Sequence, residues 1–283
     1  MKRGTPPALA NIQIQVHRSI AKIFLPSPSN DRFLQWKAWL ELAEAIEWAV
    51  AEESIRVLCL ENLGEIFCGG FDWTTLQMEW KSILPEEVGR RQEQLQSYFL
   101  KGLTPIHSIE RCSKPVIAVV TGRCAGVGME LLVTCDLRYT LKNTSVAITE
   151  VDSGLIPMNR FKKLSGLIGE GQVKELAFTG RELPSIEAYH LGLFHQVFDS
   201  RQTLDKAVLK ISQQLTTKAP LALHGIKEML HHSQDHSVRD GLNYIATWNA
   251  GLLLSKAFIV NLMKGALYLL KKRVLGSSLK SRS

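Results

Sequence analysis

Residues 115–136, PVIAVVTGRCAGVGMELLVTCD, decide how this chain is to be read. The opening run, Pro115 to Val120, is short, apolar and rich in β-branched side chains, the pattern of a buried strand. Gly122, Gly126 and Gly128 then punctuate a turn, and the apolar run that follows reads as a buried helix. That helix carries Glu130 near its first turn, between Met129 and Leu131. A carboxylate is seldom buried without a partner, because removing it from water is expensive. Strand, glycine turn and helix with an acid inside is therefore a candidate site as well as a piece of fold.

Working outward, the same alternation recurs. IQIQV (Ile12 to Val16) and IAKIFL (Ile20 to Leu25) read as paired strands, and PSPSND (Pro26 to Asp31) as a loop. Apolar residues three and four apart from Phe33 to Ala51 predict a helix, and IRVLCL (Ile55 to Leu60) a buried strand. LRYTL and SVAI after Glu130 are short strand candidates, and helices and loops alternate from about Phe161 onward. The order defines an α/β fold with helices added at the C-terminus. Residues 1–205 are expected to form the core and 206–283 a C-terminal helical region used for oligomerisation.

Composition narrows the class. The chain has 283 residues, 45% hydrophobic and 22% charged, which suits an ordinary globular protein with a sizeable core. No low-complexity tract or internal repeat is visible, which argues against solenoids and propellers. The net charge of +7 is concentrated in basic termini such as Lys271, Lys272 and Arg273. It fits solvated ends or an anionic small molecule better than a nucleic-acid surface, since no aromatic RNA-binding signature accompanies it. Five scattered cysteines without ligand spacing point to reduced thiols in a cytosolic setting, and to no metal site. The N-terminus lacks an apolar signal region, and the apolar stretch GLLLSKAFIVNLMKGALYLL is interrupted by Lys256, Asn261 and Lys264, so no stable membrane insertion is expected.

A second glycine turn, FCGGFD (Phe67 to Asp72), follows the other strongly apolar strand. Glycine turns and helix N-termini expose backbone N–H groups to a bound anion. If the two turns meet, each can supply one donor to an oxyanion hole; the bland alternative is that each merely links a strand to a helix. The spacing of Gly122, Gly126 and Gly128 is not a dinucleotide fingerprint, no P-loop Gly-Lys-Ser/Thr follows, and no nucleophile elbow is present. Glu150, in TEVDSGLIP, is a second carboxylate expected at a strand end, with Asp152 two residues on and facing the same way. Two carboxyls near one another can hold a water and move its protons, and burial should raise the pKa of at least one.

FCGGFD, KPVIAVVTGRCAGVGMELLVTCDLRY and EVDSGLIP, followed by ELAFTGREL and AYHLGLFHQVF, resemble the crotonase (enoyl-CoA hydratase/isomerase) superfamily in that order. The resemblance runs from about Gln13 to Arg273. It implies a spiral of ββα units with C-terminal helices, assembled as a homotrimer or a dimer of trimers, acting on an acyl-coenzyme A thioester without a separate cofactor. It also implies that Cys68, Gly69, Gly70, Phe71 and Asp72 form one side of an oxyanion hole and CoA loop. Gly126 and Val127 would form the other, with the N–H groups of Gly69 and Val127 as donors. Glu130 and Glu150 fall where the family's hydratases carry their catalytic pair.

The reading that follows is an enoyl-CoA hydratase adding water across the 2,3 double bond. The alternatives are an enoyl-CoA or dienoyl-CoA isomerase and a hydratase or dehydratase of a carrier-bound acyl chain. Remoter ones are a non-catalytic RNA-binding relative and a membrane-associated assembly protein. The dienoyl-CoA isomerases carry an aspartate where this chain has Glu130, and a third acid where it has Met158. PMNRFKKL also departs from typical hydratases, with Met158, Asn159, Arg160 and Phe161 expected to reshape the acyl pocket.

Overall fold

The computed structural model describes residues 4–26, 34–71, 76–77, 80–81, 87–157, 161–253, 255, 258–260 and 262. The loop expected at 26–31 lies almost wholly outside them, as do Asp72, Met158, Asn159, Arg160 and Lys256.

Strands β1 (Gln13–His17) and β2 (Ile20–Leu25) form an antiparallel hairpin, and helix α1 (Trp36–Ala51) follows. Strands β3 (Val57–Asn62), β4 (Val116–Val120), β6 (Leu137–Leu141) and β9 (Gln196–Phe198) then add in parallel, giving the order β1-β2-β3-β4-β6-β9. A second, three-stranded sheet pairs β5 (Arg123–Ala125) with β7 (Ser145–Ala147) in parallel and β7 with β8 (Leu183–Pro184) antiparallel. Every residue of β3 and β4 is buried, as expected of central parallel strands covered on both faces.

Polar side chains fix the exits of the two central strands. Asn62, ending β3, accepts at Oδ1 from Thr121 Oγ1, just past β4, at 2.9 Å, and donates through Nδ2 to the Gly64 carbonyl at 2.5 Å. Both groups are buried, so the pair joins the points from which the two glycine turns depart. On the far side Asp136 Oδ2 accepts from the Val116 N–H at 2.8 Å. The buried Arg138 guanidinium donates to the Leu193 and Cys135 carbonyls at 2.7 and 2.8 Å.

Helices α2 (Val88–Gly102) and α3 (Thr104–Glu110) lie between β3 and β4 in the chain, and α4 (Val127–Thr134) between β5 and β6. Later come α5 (Phe161–Ile168), α6 (Glu170–Thr179), α7 (Ser185–His190) and α8 (Arg201–Thr216). The chain divides into compact units at 1–216 and 217–283, and the expected boundary after 205 falls inside α8. The second unit contains α9 (Pro220–Asp235) and α10 (Val238–Leu253), where Trp248 packs on Gly225 and the His232 ring stacks on His236 at 3.7 Å. Ile226, Leu230, Leu242 and Ile245 stay exposed on this pair. Among the described residues no helix is long and apolar enough to cross a membrane.

Candidate active site

The two glycine turns meet. Cys68 and Cys124 form a parallel bridge, in which the Ala125 N–H donates to the Cys68 carbonyl at 2.7 Å and the Phe67 N–H to the Arg123 carbonyl at 3.0 Å. The contact brings Gly126 onto Gly70 so closely that a Cβ at 126 would lie 3.0 Å from the Gly70 Cα. Gly126 also has φ 54° and ψ −126°, a conformation that a side chain disfavours. Glycine is required there on both counts.

Gly69 and Val127 both line a cavity of about 500 Å³, and among the described residues neither N–H has a hydrogen-bond acceptor. Val127 is the first residue of α4, where helix geometry leaves the N–H without a partner in its own helix. Two residues from separate turns thus line one cavity, each with an N–H that no acceptor among the described residues takes, the supply of donors an oxyanion hole needs. Gly70, Phe71 and Gly126 line the same wall; Cys68 lies beneath it, buried, and Asp72 is outside the described residues.

The carboxylates reach this cavity by different routes. Glu130 is the fourth residue of α4, 2% exposed, in a helix whose every residue is buried. Glu150 is not at a strand end. Strand β7 stops at Ala147, and Glu150 opens a single 3₁₀ turn, Glu150–Ser153. With three residues per turn, Glu150 and Asp152 point apart rather than together. The expectation of a shared direction fails for that reason: Glu150 is 8% exposed, whereas Asp152 is exposed with its carboxylate against Gly180. Asp152 still contributes to the cavity wall.

Among the described residues Glu150 Oε2 is buried without a hydrogen-bond partner. Burial pushes the Glu150 carboxyl above the ordinary carboxylate range, against backbone N–H groups of Glu150 and Thr149 that favour the ionised form. A carboxyl held in this way takes up and gives off its proton at a higher pH than an ordinary carboxylate does.

Other lining residues were not singled out by sequence reasoning. Phe99 comes from α2, and Leu155, Ile156 and Pro157 from the segment after the 3₁₀ turn, all apolar and suited to an acyl chain. Arg123 enters from β5, its Nε donating to Glu182 Oε1 at 2.6 Å. A cation directly after Gly122, inside an otherwise apolar motif, was the available signal. Phe99 had none, since only the tertiary fold brings α2 to the cavity. Among the described residues no group of three His, Cys, Asp or Glu is placed to share a metal ion.

Two sheets, C-terminal helices and paired glycine turns define the crotonase fold, and solved structures agree. Enoyl-CoA hydratase from Bacillus anthracis superposes with a TM-score of 0.79 at 26% identity, covering 93% of this chain and 96% of that one. The chain belongs to the enoyl-CoA hydratase/isomerase family, whose model matches residues 15–249. It is 34% identical to the peroxisomal Δ(3,5)-Δ(2,4)-dienoyl-CoA isomerase of Arabidopsis thaliana, over 84% of this chain and 86% of the relative. It is 30% identical to the mitochondrial enzyme of that name from Homo sapiens, over 86% and 74% respectively. Those names carry organellar compartments, unlike the cytosolic setting read from the cysteines.

Proposed function

We propose that this crotonase-family protein is an acyl-CoA double-bond isomerase, converting a 3,5-dienoyl thioester to its 2,4 isomer. The observation that carries the reading is Glu150: a buried carboxyl with one oxygen unpartnered among the described residues, facing the cavity that Gly69 and Val127 line. Ionised Glu150 removes the proton at C2, next to the thioester. The electron pair moves onto the thioester oxygen and along the chain as a trienolate, whose charge the two N–H groups receive. Glu130, protonated at the outset, gives its proton to C6, and the proton held by Glu150 passes back to Glu130 before the next turnover, so the product differs only in the positions of its double bonds and no water is consumed. Two carboxyls suffice for this exchange without an acid at Met158. The isomerase names of the relatives at 34% and 30% identity support this choice over the hydratase first expected from the sequence.

The competing reading is hydration of a 2-enoyl-CoA. It is favoured by a specific feature: this chain has Glu130, as the family's hydratases do, where the isomerases have aspartate. In that case the two glutamates hold the water that adds to the double bond. We also infer that the exposed apolar residues of α9 and α10 serve self-association, with a trimer or dimer of trimers as the expected assembly.

The test gives purified protein 3,5-dienoyl-CoA and crotonyl-CoA in parallel, with products separated and weighed. A gain of conjugated 2,4-dienoyl absorbance without a mass change supports isomerisation. A 3-hydroxyacyl product, heavier by one water, moves the assignment to a hydratase. Turnover of neither sinks both readings.

A further inference from the structure

The second sheet brings a cation to the cavity that the double-bond chemistry does not use. In its register Arg123 of β5 lies beside Ser145 of β7, and Ser145 beside Pro184 of β8. Glu182 comes two residues before Pro184, and the Arg123 Nε donates to its Oε1 at 2.6 Å. A guanidinium carries five N–H donors in a planar fork. Arg138, Arg181 and Arg201 each commit two or more of their nitrogens to protein acceptors. Arg138 donates to the Leu193 and Cys135 carbonyls, Arg181 to Glu175 and Glu187, and Arg201 to Asp205 and Glu61. Arg123 is held at Nε alone, and among the described residues its Nη1 and Nη2 have no acceptor. Its side chain is 28% exposed, and the residue lines the catalytic cavity.

We propose that Arg123 is a specificity-determining residue of this cavity, where its Nη donors take an anionic oxygen group, carboxylate or phosphate, that the substrate carries apart from its thioester carbonyl. The charges of the cavity favour this. Glu130, Glu150 and Asp152 are the acids on its wall, and among the described residues Arg123 is the one cation there. An anion entering beside the acids is repelled, so Arg123 offers it a single place. The two Nη groups of a guanidinium match the paired oxygens of a carboxylate or phosphate. The bond to Glu182 holds the plane of the fork before anything binds, which lowers the ordering cost of binding. A substrate is then held at two points, its carbonyl at Gly69 and Val127 and its anion at Arg123. Two-point attachment fixes the direction of the chain, and with it the carbon presented to Glu150.

The inference rests on the acyl-thioester reading, and the experiment separates the two. Wild type, Arg123→Met and Arg123→Lys are assayed on the reaction the wild type performs, isomerisation or hydration. Four substrates share the same reacting double bonds. Two are CoA thioesters and two are N-acetylcysteamine thioesters, which lack the phosphates. Within each pair one acyl chain ends in a methyl group and the other in a carboxylate. Arg123→Met is expected to raise KM about tenfold on the substrates that carry the recognised anion, the weight of one charged hydrogen-bonded contact, with a smaller change in kcat. A rise confined to the CoA thioesters supports the proposal with phosphate as the anion. A rise confined to the carboxylate-ended chains supports it with carboxylate. Arg123→Lys, a cation without the fork, is expected to recover part of the loss.

A methionine variant with unchanged KM on all four substrates overturns the proposal. So does an equal rise on all four, because the methyl-ended N-acetylcysteamine thioester offers no anion and Arg123 would then only shape the cavity. The wild type alone is the second arm. It is expected to prefer at least one anion-bearing substrate to the methyl-ended N-acetylcysteamine thioester, about tenfold in kcat/KM. Equal kcat/KM on all four overturns the role of Arg123 even if the methionine variant does not fold, and leaves the double-bond reading standing. A wild type that turns over none of the four overturns the acyl-thioester reading, and the role of Arg123 with it.

Discussion

The two segments that deliver carboxylates to the cavity are built in opposite ways. Helix α4 lies wholly in the core, and Glu130 is one buried residue among eight. The segment 150–157 runs along the surface, and Glu150 is its only buried residue, with Ile156 86% exposed a few positions later. Glu130 is therefore located by packing that the whole domain enforces, and moving it means disturbing the core. Glu150 is located by one local turn and by the cavity wall, so its surroundings can change without unfolding anything. A site assembled this way has a rigid half and an adjustable half, and differences in reaction within one fold can come from the adjustable half.

Substitutions can break or sharpen that contrast. The largest expected effect is on chemistry: Glu150→Gln should lower turnover about 10²–10⁴-fold, the usual weight of a general acid–base group. Its folding should be intact, checked by steady-state rates beside a thermal melt. Leu131→Ala, in the rigid half, should cost about 2–5 kcal/mol of stability, read from denaturant unfolding. Ile156→Ala, in the adjustable half, should stay within about 0.5 kcal/mol on the same measurement. Equal losses from the two apolar changes would erase the distinction.

Gly126→Ala lies where the halves meet. It should lower kcat about 10²–10³-fold, as the loss of one oxyanion donor does, because the added Cβ drives the turns apart. Rates alongside a circular-dichroism spectrum would separate this from unfolding.

The raised pKa of Glu150 has two consequences of smaller size. Glu150 must be ionised to accept a proton, so activity should fall on the acid side at a pH above the ordinary carboxylate range, which a pH–rate profile reads directly. The effect on stability has a definite sign. Well below the ordinary carboxylate value Glu150 is protonated in both the folded and the unfolded chain. As pH rises, the unfolded chain ionises first, and the folded state loses stability until the raised folded pKa is passed. Glu150→Gln removes that loss, so its stability relative to wild type should increase between acid and neutral pH. A difference that shrinks over that range would mean Glu150 is stabilised as an ion.

Legibility followed the same division. Central strands such as Val116–Val120 and the helix bearing Glu130 were readable because burial on both faces leaves a local mark, an unbroken apolar run of the right length. Short strands such as Arg123–Ala125 and Gln196–Phe198 leave no such mark, since three residues carry little periodicity and their partners are distant in the chain. Glu150 was recognised as a residue but placed on the wrong element. A strand end and a 3₁₀ turn differ in a few dihedral angles that this polar stretch does not advertise.

By itself, then, the sequence determined that a carboxylate would be buried after a glycine turn, that a second glycine turn and a second carboxylate existed, and which family these motifs resemble. All are consequences of side-chain identity and short spacing. Only the tertiary structure decided that the two turns touch at Gly70 and Gly126, that Phe99 and Arg123 join the cavity, and that Glu150 faces inward while Asp152 does not. Those outcomes depend on strand exits pinned by Asn62 and Thr121 and on pairings between residues far apart in the chain, and no local pattern encodes such contacts.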